Sequence, residues 1–180
     1  ARQSTFSKSH ERLISAVENT GRADPVVVEL LIGAYGERGQ LRKLKRLLRN
    51  SPEELLSSTP SLWGMTGYGY STLGLWPKCI HWLCDYRERE GVAPWMLWNL
   101  ALAHGSLDQW QIMVKAHQAA LVLEGHQELL HDHRASLAAL LALDGRLEEA
   151  QTHLAQSDPS QLRPGDLLRH QIADSLLALH

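Results

Sequence analysis

Histidine, cysteine and tryptophan are the side chains in this 180-residue chain with the most to offer chemically; there are ten, two and six of them. The densest group is His126 with His131-Asp132-His133. Imidazoles flanking a carboxylate are the donor types of a zinc site, the carboxylate either ligating or orienting a ring. Side chains two apart diverge on a helix, so such a site needs a loop. No CxxC or HExxH nearby completes it. The stretch therefore reads as polar chain leading into a helix, and no metal or cofactor is expected.

Catalytic arrangements fare no better. Serine, histidine and aspartate are present, but no G-x-S-x-G elbow is. Cys79 stands among apolar residues and reads as an inert packed thiol. Gly64, Gly67 and Gly69 lie in a helical pattern with no strand ahead of them, which is not a phosphate-binding loop. Glu53-Glu54 and Glu148-Glu149 belong to helix starts or solvated faces. The expectation is a protein that is not an enzyme.

The elements that would position any site are helical. Leu and Ala dominate and β-branched residues are sparse, a composition that favours helix over strand. Hydrophobic residues make up 44% and charged residues 21%, with a net charge of −2, as in a soluble globular domain. No apolar run approaches the roughly 20 residues needed to cross a bilayer. The N-terminal ARQSTFSKSH lacks an apolar signal-peptide core. Cys79 and Cys84, five apart on one helix, point different ways and are not expected to pair. Free thiols without a targeting signal suggest a cytoplasmic setting. Residues 1–60 carry 10 Lys+Arg against 7 Asp+Glu, and residues 61–180 carry 8 against 13. That imbalance is too small to argue for nucleic acid. Within it, Arg42, Lys43, Lys45, Arg46 and Arg49 alternate with Leu41, Leu44, Leu47 and Leu48. This is an amphipathic helix with a basic outer face, solvated or able to dock an acidic partner.

Helix breakers cut the chain into segments of about 12–15 residues. Asp24-Pro25, Ser51-Pro52, Thr59-Pro60 and Ala93-Pro94 place proline at a first helical position, three of them behind a side chain able to cap. Ser51-Pro52-Glu53-Glu54 reads as a capping box. Gly39, Gly74, Asp108 and Gly145, spaced 35, 34 and 37 apart, fall between paired apolar-periodic stretches and predict tight turns. Trp76 and Trp110 follow two of these turns, 34 apart. A period of this length signals a solenoid of stacked units sharing one core. Both tryptophans read as architectural, opening the second helix of their units.

Trp63, Gly67, Tyr70, Gly74, Trp76 and Cys79 follow in order the aromatic, small, aromatic, Gly, aromatic, small pattern of the tetratricopeptide repeat (TPR). The next unit supplies Leu97, Leu100-Ala101, His104, Asp108, Trp110 and Ala120. The fourth supplies Leu137-Ala138, Leu141, Gly145, Leu147, Ala150 and Leu154, and the first Val28, Leu31, Tyr35, Gly39, Leu41, Leu44 and Leu48. The chain resembles that family over about residues 24–157. It departs at Thr66, where an apolar residue is wanted, at His104, and at the missing glycine near 108. The resemblance implies an all-α, right-handed helical-repeat superhelix with units at about 25–58, 60–92, 94–127 and 131–157. Capping helices are expected at about 6–19 and 165–180, because an open solenoid end exposes core.

The resemblance also implies a concave groove lined by first-helix residues. Carried over by position, these are Glu29, Gly33 and Glu37 in the first unit, and Ser61, Tyr68, Ser71 and Thr72 in the second. The third gives Trp95, Trp98 and Leu102, and the fourth Asp132, Ala135 and Ala139. Aromatics in a concavity are binding anchors, unless they pack under a neighbouring unit instead. The lysine–asparagine pair by which some family members hold a terminal carboxylate is absent from these places. The resulting expectation is a non-catalytic scaffold or adaptor that binds a partly apolar peptide or amphipathic helix of another protein. The chief alternative is a small secretion-type chaperone for a hydrophobic client. Nucleic acid and membrane are not expected as partners, and self-association into a homo-oligomer is left open.

Overall fold

The computed structural model describes residues 24–123 and 127–179, and the side chains of all of these except 127–129. The helix expected at about 6–19 and His126 lie outside the described residues. Among those described there are ten α-helices and no strand. They are α1 (Pro25–Glu37), α2 (Leu41–Asn50), α3 (Glu53–Leu56), α4 (Pro60–Thr72), α5 (Trp76–Leu83), α6 (Pro94–Gly105), α7 (Trp110–Leu121), α8 (Gln127–Leu143), α9 (Leu147–Ala155) and α10 (Pro164–Leu177). None of the described helices is long and apolar enough to cross a membrane.

Local chemistry sets the boundaries. Proline opens α1, α4, α6 and α10, where its missing N–H costs nothing. The Asp24 carboxylate caps α1 by accepting from the Val26 N–H at 2.8 Å, and the Thr59 hydroxyl accepts from the Leu62 N–H at 3.1 Å. The Ser51 capping box does not form. α2 runs on to Asn50, so Ser51 closes that helix instead and its hydroxyl donates to the Leu47 carbonyl at 3.0 Å. Between paired helices the chain turns through left-handed residues: Gly39, Gly74 and Gly145 with φ of 63°, 65° and 77°, and Asp108 at 57°. Aspartate is one of the few side chains that tolerate this conformation, which is how the third turn works without glycine.

First and second helices of each pair lie together, and α1, α4 and α6 also pack side by side. α10 lies along α8 and closes the C-terminal end, with Ala173 buried against Ala138 and Ala139, and Leu176 and Leu177 against Leu137 and Leu141. Two further cores fill the array. One is built on Val28, Leu31, Ile32, Leu44, Leu48 and Leu62, the other on Trp63, Cys79, Leu83, Leu97, Leu100 and Ala120. On α2, Leu44, Leu47 and Leu48 are buried while Arg42, Lys45, Arg46 and Arg49 are exposed, as the amphipathic reading requires. Thr66, the polar residue at an apolar position, is fully buried because its hydroxyl donates back to the Leu62 carbonyl at 2.9 Å. His104, at an aromatic position, is buried with Nδ1 2.6 Å from Gln109 Oε1 across the turn. Cys79 and Cys84 are both free.

Close helix approach depends on Gly67. A Cβ there would lie 2.5–2.7 Å from three atoms of the buried Leu83 side chain. Gly67→Ala gains helix propensity worth about 1 kcal/mol. It overpacks a site where extra methylenes cost about 1–3 kcal/mol. The variant should therefore melt earlier than wild type. A higher midpoint in urea would show that Leu83 can move aside.

The tryptophans divide. Trp76 packs against the second core, as an architectural residue should. Trp110 does not: 49% of it is exposed. It lies at the first position of α7, before the helix reaches its packed stretch at Ala116, His117 and Ala120. With Val114, Leu140 and Leu143 it borders a depression of about 700 Å³ between α7 and the end of α8.

Candidate functional site

Side chains from α4, α6, α8 and the start of α10 surround a second depression, of about 370 Å³. Tyr68, Ser71 and Thr72 come from α4. Trp95, Trp98, Asn99 and Leu102 come from α6, Asp132 and His133 from α8, and Arg163 precedes α10. Seven of the thirteen residues assigned to a groove share one cavity: Trp95, Trp98, Leu102, Tyr68, Ser71, Thr72 and Asp132. Ser61 and Glu29 lie outside its lining and bond to each other, the Ser61 hydroxyl donating to Glu29 Oε1 at 2.6 Å. Asp132 on α8 belongs to the lining. Ala135 and Ala139 do not; both are buried on α8, the helix along which α10 lies. Gly33 and Glu37 on α1 are not part of the lining either.

Both tryptophans are half-buried, each lining the cavity while packing on its own neighbours. Trp95 lies against Gly64, where an added Cβ would come within 2.7 Å of the indole. Its backbone carbonyl accepts from the buried Asn99 side-chain amide at 2.9 Å. Trp98 meets His117 and His133 edge-on, with ring centroids 5.4 and 5.3 Å away. Such edge contacts suit the quadrupoles of both partners. Two guanidiniums also lie over the Trp98 ring, Arg163 at 4.9 Å and Arg169 at 5.4 Å.

Beneath Trp98 the two histidines form a buried pair with Nδ1 atoms 2.8 Å apart. His133 Nε2 is 3.1 Å from the Pro94 carbonyl oxygen. A carbonyl only accepts, so Nε2 of His133 carries the hydrogen. The bare Nδ1 of a neutral His133 then accepts from the Nδ1–H of His117. Burial lowers both pKa values, that of His133 to about 4; His117 is lowered further by its charge interactions with His133 and Arg169. The pair is therefore neutral at pH 7.

An ion cluster closes the far end. Arg163 Nε lies 2.7 Å from Asp132 Oδ2, and Arg163 Nη2 lies 3.1 Å from Asp166 Oδ2. Arg169 also pairs with Asp166. Among the described residues Asp132 Oδ1 has no hydrogen-bond partner, and burial outweighs the nearby Arg163 to raise the Asp132 pKa.

The histidine–aspartate run does not gather around one point. His131 Nδ1 accepts from the Asp158 N–H at 3.0 Å, Asp132 turns to Arg163, and His133 turns to His117. Among the described residues no group of three or more metal-capable side chains converges. The Cys79 thiol is fully buried and its pKa is pushed up to about 12 by desolvation, so it stays protonated.

Arg163, His133 and Asn99 line the cavity without having been singled out for it. Asn99 stands one helical turn after Trp95 and was within reach of a spacing argument. Arg163 arrives from beyond the repeats, and nothing local in the sequence ties it to α6.

The fold places the molecule in a structural class, the helical-repeat solenoids of TPR-like architecture. Consistent with that, the chain is similar to the solved structure of YrrB, described as a TPR protein with an unusual peptide-binding site. The TM-score is 0.58 at 18% identity, covering 92% of each chain. No family model matches the sequence, and no curated protein does.

Proposed function

We propose that the concave face binds a segment of a partner protein, and that the molecule works as a non-catalytic interaction module. The carrying observation is the meeting of Trp95, Trp98, Tyr68 and Leu102 in one open cavity. Half-buried aromatics held by their own neighbours lose little freedom on binding, so their contact area converts efficiently into affinity. A volume of about 370 Å³ suits one or two side chains of an extended or helical segment. The likeness to a protein described as having a peptide-binding site supports the same reading. The buried, protonated Cys79 thiol and the mutually engaged histidines are poorly suited to attack or proton transfer.

The test is selection from a displayed random-peptide library on immobilised protein. Wild type should enrich sequences with aromatic or large apolar residues. Trp95→Ala with Trp98→Ala should abolish enrichment. Both tryptophans also pack, so a second variant fills the groove from its rim: Thr72→Arg with Leu102→Arg, of which Leu102 is exposed. It should keep wild-type helicity and lose enrichment as well. Equal enrichment by the filled variant would overturn the groove reading.

A further inference from the structure

Four cations form a single stripe along α2. Arg42, Lys45, Arg46 and Arg49 stand at i, i+3, i+4 and i+7, positions that share one face of a helix. All four are exposed, while Leu44, Leu47 and Leu48 on the other side of the helix are buried. The stripe therefore points away from the core. Among the described residues none of the four has an ion-pair partner. Glu37 before the helix and Glu53 and Glu54 after it are exposed, and they pair with none of the four. Lys43 lies apart from the stripe, over the Tyr35 ring at 5.4 Å.

This arrangement works against the helix that carries it. Every neighbouring pair in the stripe is like-charged at i,i+3 or i,i+4, and such pairs destabilise a helix. Arg42 also sits in the first turn, where the helix dipole disfavours a cation. The helix sequence, LRKLKRLLRN, holds no acid to relieve either effect. Solubility does not call for such a stripe, because charges of both signs interspersed over a surface serve it as well. A partner that supplies the missing anions does account for it.

We propose that the outer face of α2 is a docking surface separate from the groove, and that it takes an acidic helix of a partner protein with Asp or Glu at i, i+3, i+4 and i+7. α2 contributes no residue to the groove lining. With a rise of 1.5 Å per residue, the four cations stand at about 0, 4.5, 6 and 10.5 Å along the axis. A second helix repeats those intervals, whereas same-side residues of an extended chain recur at roughly 6.6 Å and fall out of step. Complementary charge rows of this kind set partner choice between helices. Three of the four cations are arginines, whose planar forks match carboxylates bidentately. Nucleic acid fits less well: the stripe holds no aromatic to stack on a base, is about two turns long, and belongs to a chain with a net charge of −2. An anionic membrane also fits less well, because Leu44, Leu47 and Leu48, which an interfacial helix would bury in lipid, are already in the core.

The test uses a labelled, alanine-rich helical peptide with glutamates at i, i+3, i+4 and i+7. Its controls are a peptide of the same composition with the glutamates scattered around the helix, a short DNA duplex, and phosphatidylserine vesicles. Wild type should bind the in-register peptide most tightly, and added salt should weaken that binding. Arg42→Gln and Arg46→Gln should each weaken it about two- to five-fold, the range of one exposed ion pair. Arg46→Glu should abolish it. The same change places an acid between Arg42 and Arg49, so the melting midpoint should hold or rise. Binding and stability then move apart, which a structural role for Arg46 does not allow. A lower midpoint, or binding by Arg46→Glu equal to wild type, would overturn the docking surface. Equal binding of the in-register and scattered peptides would overturn the helical partner. Binding of the duplex or the vesicles at lower concentration than the peptide would overturn a protein partner in favour of nucleic acid or a membrane.

Discussion

Trp63→Ala should lower the unfolding free energy by about 4 kcal/mol, the largest loss expected from any single truncation in this chain. The indole is 1% exposed at the centre of the second core. It is also half of a reciprocal clasp. Trp63 Nε1–H donates to the Trp82 carbonyl at 3.1 Å, and Trp82 Nε1–H donates to the Trp63 carbonyl at 2.9 Å. The two bonds tie α4 to α5, and the Arg89 guanidinium covers the ring at 4.8 Å. Alanine leaves a cavity and strips a donor from the Trp82 carbonyl. Trp63→Phe separates the two effects: it keeps most of the volume and loses only the bond, for about 1–2 kcal/mol. Domain stabilities of about 5–15 kcal/mol make the alanine loss a large share of the total. Urea denaturation followed by circular dichroism reads both, provided the slope is unchanged. A loss under about 1 kcal/mol for Trp63→Ala would mean that α4 and α5 are held mainly by other contacts.

That clasp was not legible in the sequence, although its surroundings were. The repeat period appears in side chains because each turn needs a left-handed residue and each helix crossing needs a small one. Gly39, Gly74, Gly145 and Gly67 report directly on backbone requirements. Proline and capping residues mark helix starts for the same reason, and they mislead only at Ser51, where a preceding helix claims the residue first. The groove tryptophans were legible as candidates because the repeat fixes which face of α4 and α6 turns inward. What could not be read is what meets across long separations. Asp132 and Arg163 share a salt bridge, and Trp98 shares an edge contact with His117 and another with His133, through packing of elements rather than spacing. Trp110 shows the opposite error. Its place in the period matches that of Trp76, but period alone does not decide whether a neighbour covers a position.

The histidine pair under Trp98 should make the fold acid-sensitive in a window set by its own pKa values. In the unfolded chain both imidazoles titrate near 6.5. In the folded chain His133 is lowered to about 4, and His117 well below its usual value, by burial first of all. Above pH 6.5 both states hold neutral imidazoles, and the pair's contribution is fully present. Between pH 6.5 and 4 the unfolded chain takes up protons that the folded chain refuses, and stability falls. For His133 that difference amounts to roughly 3 kcal/mol, with His117 adding to it. Asp132 acts in the opposite sense, because its raised pKa favours the folded state on protonation. Glu149 and Asp158, both lowered by hydrogen bonds, lose their contribution nearer the carboxylate range. Denaturation midpoints between pH 7.5 and 4.5 should therefore fall steeply, and His117→Leu with His133→Leu should flatten the curve. Single replacement of His133 should be worse than the double, since it leaves the buried His117 N–H without an acceptor. A wild-type profile as flat as that of the double variant would show that the pair admits water or rearranges at little cost, and that the base of the groove is less rigid than its contacts imply.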